Sequence, residues 1–148
     1  MEKVKVKVYS QNNEIPIYQT HGSAAVDIIS NEECVIRKDK LSVISTGLFM
    51  EIPEGYRLDI RARSGLSSKG VIILNGIGTI DSDYRGEIKV IMTSVFDQGF
   101  TGFMINKGDR IAQAIIEKNI LIDFDKVDDI ELLSKTERGL GGFGSTGK

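Results

Sequence analysis

Residues 56–63 alternate strictly between two kinds of side chain, and this alternation constrains the fold more than any other feature of the sequence. A period of two predicts an extended strand, because successive side chains of a strand point to opposite faces. One face would carry Tyr56, Leu58, Ile60 and Ala62, and the other Arg57, Asp59, Arg61 and Arg63. Residues 3–8 alternate lysine and valine in the same way, and further β-branched runs occur at residues 43–44, 71–74, 88–92 and 111–116. Many short strands predict an all-β domain, either a sandwich or a barrel.

Helical signals are few. Residues 65–69 are long enough for one turn, and residues 127–133 show a weak helical spacing of apolar side chains. The sequence therefore predicts at most one or two short helices. Glycine is dense only at residues 139–147, GLGGFGSTG. Ordering this segment would cost on the order of 10 kcal/mol of conformational entropy, and the segment has little apolar surface to bury in return. We therefore predict one β domain over residues 1–137, followed by a flexible glycine-rich tail over residues 138–148.

Composition excludes several classes of protein. The 148 residues suit a single domain, and 19 basic against 21 acidic side chains argue against a general nucleic-acid binder. The single cysteine forms no internal disulfide, and one cysteine with one histidine cannot fill a structural zinc site. The N-terminal MEKVKVKV lacks the apolar run of a signal peptide, and no apolar stretch approaches the roughly 20 residues of a membrane span. We expect a soluble protein of the cytoplasm or nucleus, not secreted and not bound to membranes.

The glycine-rich tail fits two phosphate-binding patterns only formally. Gly139, Gly141 and Gly144 satisfy GxGxxG, and residues 142–148 satisfy most of the P-loop pattern. Both patterns require a helix directly afterwards to direct its amides at phosphate, and the sequence ends at Lys148. A disordered terminus is the simpler interpretation. The alternative is a lid, since the charge of Arg138 with the backbone amides, hydroxyls and one ring of the tail suits a base and a phosphate chain.

Three further segments each allow two interpretations. RARSGLSSK, residues 61–69, combines an arginine, a hydroxyl and a free glycine amide as a phosphate-binding corner would, or is a solvated strand end. NGIGTIDSDYRGE, residues 75–87, is typical of a hairpin whose backbone can bind a planar base, or of a turn in which Asp81 and Asp83 satisfy local amides. In GDRIAQAII, Gln113 shares a face with apolar residues, so it is also explained as a partly buried amide with a backbone partner. His21 lacks a catalytic context and is expected at the surface.

Taken together and in order, five segments resemble the motifs of the trimeric dUTPase family: AAVDI, RARSGLSSK, NGIGTIDSDYRGEI, GDRIAQAII and RGLGGFGSTG. They span residues 24–147. Two departures, Ala25 for a common glycine and Ala62 for a common proline, carry no reactive group. The resemblance implies a jelly-roll-like β-barrel assembled as a homotrimer, in which each active site takes motifs from three subunits. It also implies Mg²⁺-dependent hydrolysis of dUTP to dUMP and pyrophosphate, which limits uracil incorporation into DNA and supplies dUMP for dTMP synthesis.

The resemblance implies roles for individual residues as well. Asp81 resembles the residue that positions and deprotonates the attacking water, and Tyr84 resembles the ring that stacks under deoxyribose and leaves no room for a 2′-hydroxyl. Asp27 resembles a carboxylate lying behind the metal and the phosphate-binding arginines. No protein side chain is expected to bind the metal directly, since the triphosphate and water would hold it.

The other matching residues fall into three groups by what they would touch. The hairpin wall that reads uracil and excludes a 5-methyl group comprises Asn75, Gly78, Thr79, Ile80 and Lys89. The phosphate-binding positions are Arg63, Ser64, Gly65 and Gln113. The tail that covers uracil and the terminal phosphates comprises Arg138, Phe143, Gly144, Ser145 and Thr146.

Two other functions fit the same scaffold. A deoxycytidine triphosphate deaminase shares the fold, but the aspartate and tyrosine of DSDY and the glycine-rich tail favour the pyrophosphatase. A catalytically silent nucleotide sensor is the second alternative, because a fold does not by itself determine function. The presence of Asp81, Tyr84 and the whole tail argues against it.

Overall fold

The computed structural model describes residues 2–142 and is built almost entirely from short β-strands. The strands are β1 Lys7–Ser10, β2 Val26–Ile29, β3 Cys34–Ile36, β4 Ser42–Glu51, β5 Tyr56–Arg61, β6 Val71–Ile73, β7 Gly78–Ile80, β8 Glu87–Ser94, β9 Phe103–Ile105 and β10 Arg110–Lys118. One helical turn, α1, covers Ser64–Ser67, and a 3-10 turn covers Ile130–Leu132. The all-β class and the shortage of helix are confirmed.

Two four-stranded antiparallel sheets form the body of the protein. The first has the order β1-β4-β8-β6 and the second the order β2-β10-β5-β7, while β3 and β9 form a small third sheet. Since neighbours in both large sheets are distant in sequence, the chain crosses repeatedly between them, as in a jelly roll. The jelly-roll-like fold is confirmed, but the sheets do not close into a barrel.

The core lies between the two large sheets and is dominated by isoleucine. Ile44 and Val90 from the first sheet and Ile60 and Ala114 from the second are each at most 2% exposed. Full burial of a side chain the size of isoleucine is worth about 1.5–3 kcal/mol, so this layer stabilises both sheets together. The alternation predicted for residues 56–63 is confirmed on its apolar face, where Leu58 and Ile60 are buried.

Two predicted segments differ from the structure at their bounds. Residues 3–8 alternate in exposure as predicted, but β1 begins only at Lys7. Lys7 pairs with Glu51, the last residue of β4, and Pro53 soon follows, so residues 3–6 have no strand to pair with. The helical spacing at residues 127–133 yields only the 3-10 turn, which begins after the Asp129 side chain accepts a hydrogen bond from the Glu131 amide at 2.9 Å.

The segment that follows β10 lies outside both sheets. Ile120, Leu121 and Phe124 are 92%, 89% and 83% exposed, which is unusual for side chains of this size. Leu132 and Leu140 are also largely exposed. Across residues 2–142 there is no helix long and apolar enough to cross a membrane.

Candidate functional site

A charged cluster joins β2, β5 and β10 at the point where β5 ends. The Asp27 carboxylate on β2 forms two ion pairs. Its Oδ1 lies 3.0 Å from Nε of Arg63, and its Oδ2 lies 3.3 Å from NH1 of Arg110. Arg63 NH1 also donates to the Arg110 carbonyl at 3.0 Å. One carboxylate therefore orients two guanidinium groups, and the cluster keeps an excess positive charge that suits an anion.

Helical turn α1 follows Arg63 and presents Ser64 and Gly65 to solvent. Leu66, in the middle of the turn, is buried and fixes the turn against the core. The first amides of a helical turn have no helical partner, and both Ser64 and Gly65 are exposed beside Arg63. The segment is therefore more than a solvated strand end, since its arginine is held in place and its turn is anchored.

Gln113 on β10 lies opposite Arg61 of β5 and Asp27 of β2. Its Nε2 donates a hydrogen bond to the Ala62 carbonyl at 2.9 Å. The expectation of a partly buried amide with a backbone partner is confirmed. This bond holds the main chain one residue before Arg63, so Gln113 lies near the phosphate-binding positions through the backbone.

The hairpin predicted for residues 75–87 is wrong, because β6 pairs with β8 in the first sheet and β7 pairs with β5 in the second, so the segment crosses between the sheets. Its bend has Gly76 at φ +72°, a left-handed conformation that favours glycine, and the Gly76 amide donates to the Ile73 carbonyl at 3.1 Å. A Cβ atom on Gly78 would lie 3.4 Å from Nδ2 of Asn75, so the Asn75 side chain lies across the start of β7. The Thr79 hydroxyl donates to Oδ1 of Asp59 at 3.4 Å, which ties β7 to β5.

Asp81 follows β7 directly and is exposed. The Tyr84 amide donates to the Asp81 carbonyl at 3.2 Å, so main-chain atoms hold this turn. Neither the Asp81 nor the Asp83 carboxylate has a hydrogen-bond or ion-pair partner in the part of the chain that the structure describes. The interpretation in which these carboxylates satisfy local amides is therefore wrong. Both line an open cleft of about 660 Å³ that also includes Arg85.

Tyr84 packs against the main chain of residues 86 and 87. Its hydroxyl donates to the Glu87 carbonyl at 3.0 Å, and a Cβ atom on Gly86 would lie only 2.3 Å from that hydroxyl. The exposed face of the ring borders a cleft that Ile80 and Lys89 also line. This cleft therefore has an aromatic wall and the end of β7 at its border, a suitable arrangement for a sugar and a base.

The structure does not bring all of the predicted residues together within one chain. Ile80 pairs with Leu58, and β7 runs antiparallel to β5, so Asp81 is level with Arg57 near the beginning of β5 while Arg63 lies beyond its end. From residue 57 to residue 63, at about 3.3 Å per residue, the separation along the strand is roughly 20 Å. The Asp81 cleft and the Asp27–Arg63–Arg110 cluster are thus separate in a single chain.

The tail residues are only partly within the structure. Arg138 is exposed, and its Nε donates to the Gly141 carbonyl at 2.8 Å, which is a local bond. Phe143, Gly144, Ser145 and Thr146 lie outside the described residues.

Sequence reasoning missed two charged residues that the structure places at these sites. Arg110 shares Asp27 with Arg63, although the motif that contains it directed attention to Gln113. Asp59, placed on the polar face of β5, is 3% exposed and pairs with Arg57 and Arg61, each at 3.2 Å. A lone acidic residue between two arginines at alternate strand positions was the available signal for the second.

Comparisons with known proteins identify the family that this chain resembles. The family model described as dUTPase matches residues 11–147. The chain is 47% identical over 147 residues to the deoxyuridine 5'-triphosphate nucleotidohydrolase of Nautilia profundicola, covering 99% of each protein. It is 42% identical to the protein of the same name from Fusobacterium nucleatum, covering 100% of both, and 41% identical to that of Helicobacter pylori, covering 98% of this chain and 97% of the relative.

Solved structures show the same fold. A dUTPase mutant of Staphylococcus bacteriophage 80alpha with dUpNHpp superposes with a TM-score of 0.82 at 28% identity, covering 99% of this chain and 100% of that one. A dUTPase mutant of phage phi11 of S. aureus, which coordinates a structural Mg(II) ion, has a TM-score of 0.74 at 25% identity and covers 87% of this chain and 100% of that one. The correspondence extends over nearly the whole length of the chain.

Proposed function

The chain belongs to the dUTPase family and is a dUTP-hydrolysing enzyme, and from this premise we propose that water attacks the α-phosphorus of dUTP in line, releasing dUMP and pyrophosphate. The observation that carries this mechanism is the Asp81 carboxylate, which is exposed in a cleft and has no partner among residues 2–142. An exposed carboxylate with no partner is available to accept a proton from water. Asp81 is the general base.

Residues 75–80 and Tyr84 select the nucleoside. Asn75 and the polar backbone of Gly78, Thr79 and Ile80 read the edge of uracil, together with the backbone of Lys89, and leave no room for a 5-methyl group. Tyr84 stacks under the deoxyribose, and a ring fixed by its bond to the Glu87 carbonyl cannot move aside for a 2′-hydroxyl. Thymidine nucleotides and ribonucleotides are therefore rejected on different surfaces.

The positive cluster at the end of β5 binds the triphosphate. Arg63, Ser64 and Gly65 supply a guanidinium, a hydroxyl and an amide, while Asp27 holds Arg63 from behind. Gln113 keeps the backbone before Arg63 in position. A general base typically contributes only about 10²- to 10⁴-fold, so most of the rate acceleration depends on this positioning and on charge stabilisation.

The donor groups fit a magnesium ion that is carried by the substrate. Both carboxylate oxygens of Asp27 already accept from Arg63 and Arg110, so that group supports the phosphate site without binding a metal. A magnesium ion carried by the triphosphate would supply neutralisation of the charge on the leaving pyrophosphate, and we expect phosphate oxygens and water, not protein side chains, to hold it.

The active site is completed between subunits of a homotrimer. Separation of Asp81 from Arg63 along β5 supports this proposal, because one chain cannot apply both groups to the same phosphate. Exposure of Ile120, Leu121 and Phe124 beyond β10 supports a segment that leaves its own sheets to contact a neighbour. The β domain over residues 1–137 forms the body, and the tail from Arg138 to residue 148 closes a site on another subunit with Phe143, Gly144, Ser145 and Thr146.

The reaction removes dUTP before it enters DNA and supplies dUMP for dTMP synthesis. The named relatives are bacterial, which favours the cytoplasm over the nucleus as its location. Only the nucleotide and other copies of this chain are needed as partners.

Asp81→Asn tests the mechanism, because it keeps the shape of the side chain and removes the base. We expect pyrophosphate release from dUTP to fall about 10²- to 10⁴-fold while dUTP still binds. Asp83→Asn is the matched control, since it removes a charge from the same cleft, and it should retain most of the activity. Turnover by Asp81→Asn at the normal rate would contradict the assignment of the base, and conversion of dCTP by the wild type would indicate a deaminase.

A further inference from the structure

Glu87, the first residue of β8, carries a carboxylate that the mechanism does not use and that is largely removed from solvent. Its side chain is 16% exposed. It accepts a hydrogen bond from the Ser45 hydroxyl, a second from the Gly47 amide at 2.9 Å, and it lies 3.4 Å from Nζ of Lys89. A carboxylate with this many donors is held in one orientation.

The Ser45 and Gly47 donors belong to an irregular part of β4. The pairing of β4 with β8 shifts register between Ser45 and Leu48. Gly47 has φ +67°, a left-handed conformation that favours glycine, and a Cβ atom there would lie 3.0 Å from Nδ2 of Asn31. A bulge of this kind turns its amide out of the ladder, and here the Glu87 carboxylate receives it.

The bonding favours the charged form of Glu87. Burial raises the pKa of the Glu87 carboxyl, but the hydrogen bonds from Ser45 and Gly47 and the positive charge of Lys89 outweigh burial and lower the pKa below its usual value. The side chain therefore acts as an ionised clamp between β4 and β8 near neutral pH.

The main chain of Glu87 also supports the ring of Tyr84. The Tyr84 hydroxyl donates to the Glu87 carbonyl at 3.0 Å. On the other side of this contact, a Cβ atom on Gly86 would lie 2.5 Å from Cζ of Tyr84, so the ring rests against bare backbone. The position of the ring thus depends on the position of residues 86 and 87, and the carboxylate of Glu87 fixes that backbone to β4.

We propose that Glu87 is a positioning residue for sugar specificity, which clamps the backbone under Tyr84 so that the ring cannot yield to a 2′-hydroxyl. This inference rests on the proposed function, in which Tyr84 stacks under deoxyribose. Glu87 lines the same cleft as Tyr84, but its carboxylate is engaged by Ser45, Gly47 and Lys89. It therefore acts through Tyr84, and its effect is on the choice between deoxyribose and ribose.

Glu87→Gln tests this role with little change in volume. Ser45 and Gly47 share one carboxylate oxygen, Oε1, and Lys89 lies at the other, so the glutamine amide group would either face the Lys89 ammonium or displace both β4 donors. We expect the ratio of kcat/KM for dUTP to kcat/KM for UTP to fall about tenfold, which corresponds to about 1.4 kcal/mol. Discrimination between dUTP and dTTP, which depends on Asn75 and on main-chain groups of residues 78–80 and 89, should change much less.

The chain offers a matched control and a milder variant. Glu33 is exposed and has no hydrogen bond or ion pair with the other described residues, so Glu33→Gln should leave the dUTP/UTP ratio unchanged. Ser45→Ala removes one donor and leaves the Glu87 charge, and it should lower the ratio in the same direction but by less. If Glu87→Gln fails to fold, the ratio of Ser45→Ala decides the question.

The outcomes separate this inference from the proposed function. A wild-type protein that does not hydrolyse dUTP would overturn both. A wild type that prefers dUTP to UTP, with a Glu87→Gln variant that folds and keeps the same preference, would overturn only the role of Glu87. Equal losses of sugar and base discrimination would also overturn it, since they would indicate general loosening of the site.

Discussion

Gly86 is required by the ring beside it, because the Tyr84 hydroxyl occupies the space that any other side chain would need. A Cβ atom there would approach that hydroxyl to 2.3 Å. Gly86→Ala must therefore displace the ring or the strand start, while its backbone lies outside the left-handed region and accepts alanine. We expect the kcat/KM for dUTP to fall about tenfold or more, because a misplacement of about 1 Å is costly in catalysis.

A control for Gly86→Ala needs a glycine whose backbone accepts alanine and whose new Cβ atom touches nothing. Gly55 is unsuitable because its φ is positive, whereas a Cβ atom on Gly65 or Gly22 would have no atom within 4 Å. Gly22 lies outside the proposed site, so Gly22→Ala is the control and should keep full activity. Steady-state assays of both variants on dUTP, with circular dichroism to confirm folding, measure the effect. Normal activity of a folded Gly86→Ala variant would show that the Tyr84 ring need not pack against the main chain of residue 86.

At the scale of elements, β5 shows how far a pattern predicts structure. Its alternation predicts which face each side chain takes, because a strand places alternate residues on opposite faces. The same alternation cannot predict that Asp59 is buried, since Arg57 and Arg61 fold over it and the Thr79 hydroxyl reaches it from β7. Burial on the polar face depends on neighbouring strands, which one segment of sequence does not specify.

Asp59 is predicted to stabilise the second sheet. Asp59→Asn leaves Arg57 and Arg61 without their shared charge, but both guanidinium groups are about one-third exposed and water replaces part of the interaction. We therefore expect a loss of about 2 kcal/mol in the free energy of unfolding, less than the roughly 3–5 kcal/mol for breaking a fully buried pair. Urea unfolding at one protein concentration measures it.

Thr79→Val provides the comparison for Asp59→Asn within the same group of contacts. It removes only a hydrogen bond of 3.4 Å, which is long, so the cost should be below about 1 kcal/mol. Equal stability of Asp59→Asn and the wild type would mean that the two arginines are satisfied without the carboxylate.

At the scale of the whole molecule, short motifs indicated the candidate residues whose proposed roles depend on their own chemistry. Asp81, Tyr84 and Arg63 stand in segments whose composition and order could be interpreted without a structure. Arg110 and Glu87 could not be found in this way, because each depends on a partner far along the chain: Asp27 is 83 residues from Arg110, and Ser45 is 42 residues from Glu87. Pairings between distant segments are set by the fold and leave no local pattern.

The distance between Asp81 and Arg63 within one chain makes the shared site testable by mixing subunits. Asp81→Asn and Arg63→Ala should each be nearly inactive alone. In randomly mixed trimers of the two variants, a site that takes Asp81 from one chain and Arg63 from another is intact in about one quarter of cases, because each contributing chain has an even chance of being the suitable variant. We therefore expect equal mixtures, refolded together, to release pyrophosphate from dUTP at about a quarter of the wild-type rate.

The control for this mixture replaces the Arg63→Ala chain with one that carries both substitutions. That chain contributes neither group, so mixing it with Asp81→Asn can restore no site, and any activity it shows measures contamination or spontaneous recovery. A site built from Asp81 and Arg63 of the same chain would remain inactive in both mixtures, since every chain lacks one of the two groups. Activity confined to the first mixture therefore requires that the carboxylate and the guanidinium reach one phosphate from two different chains, which the positions of both groups at opposite ends of β5 lead us to expect.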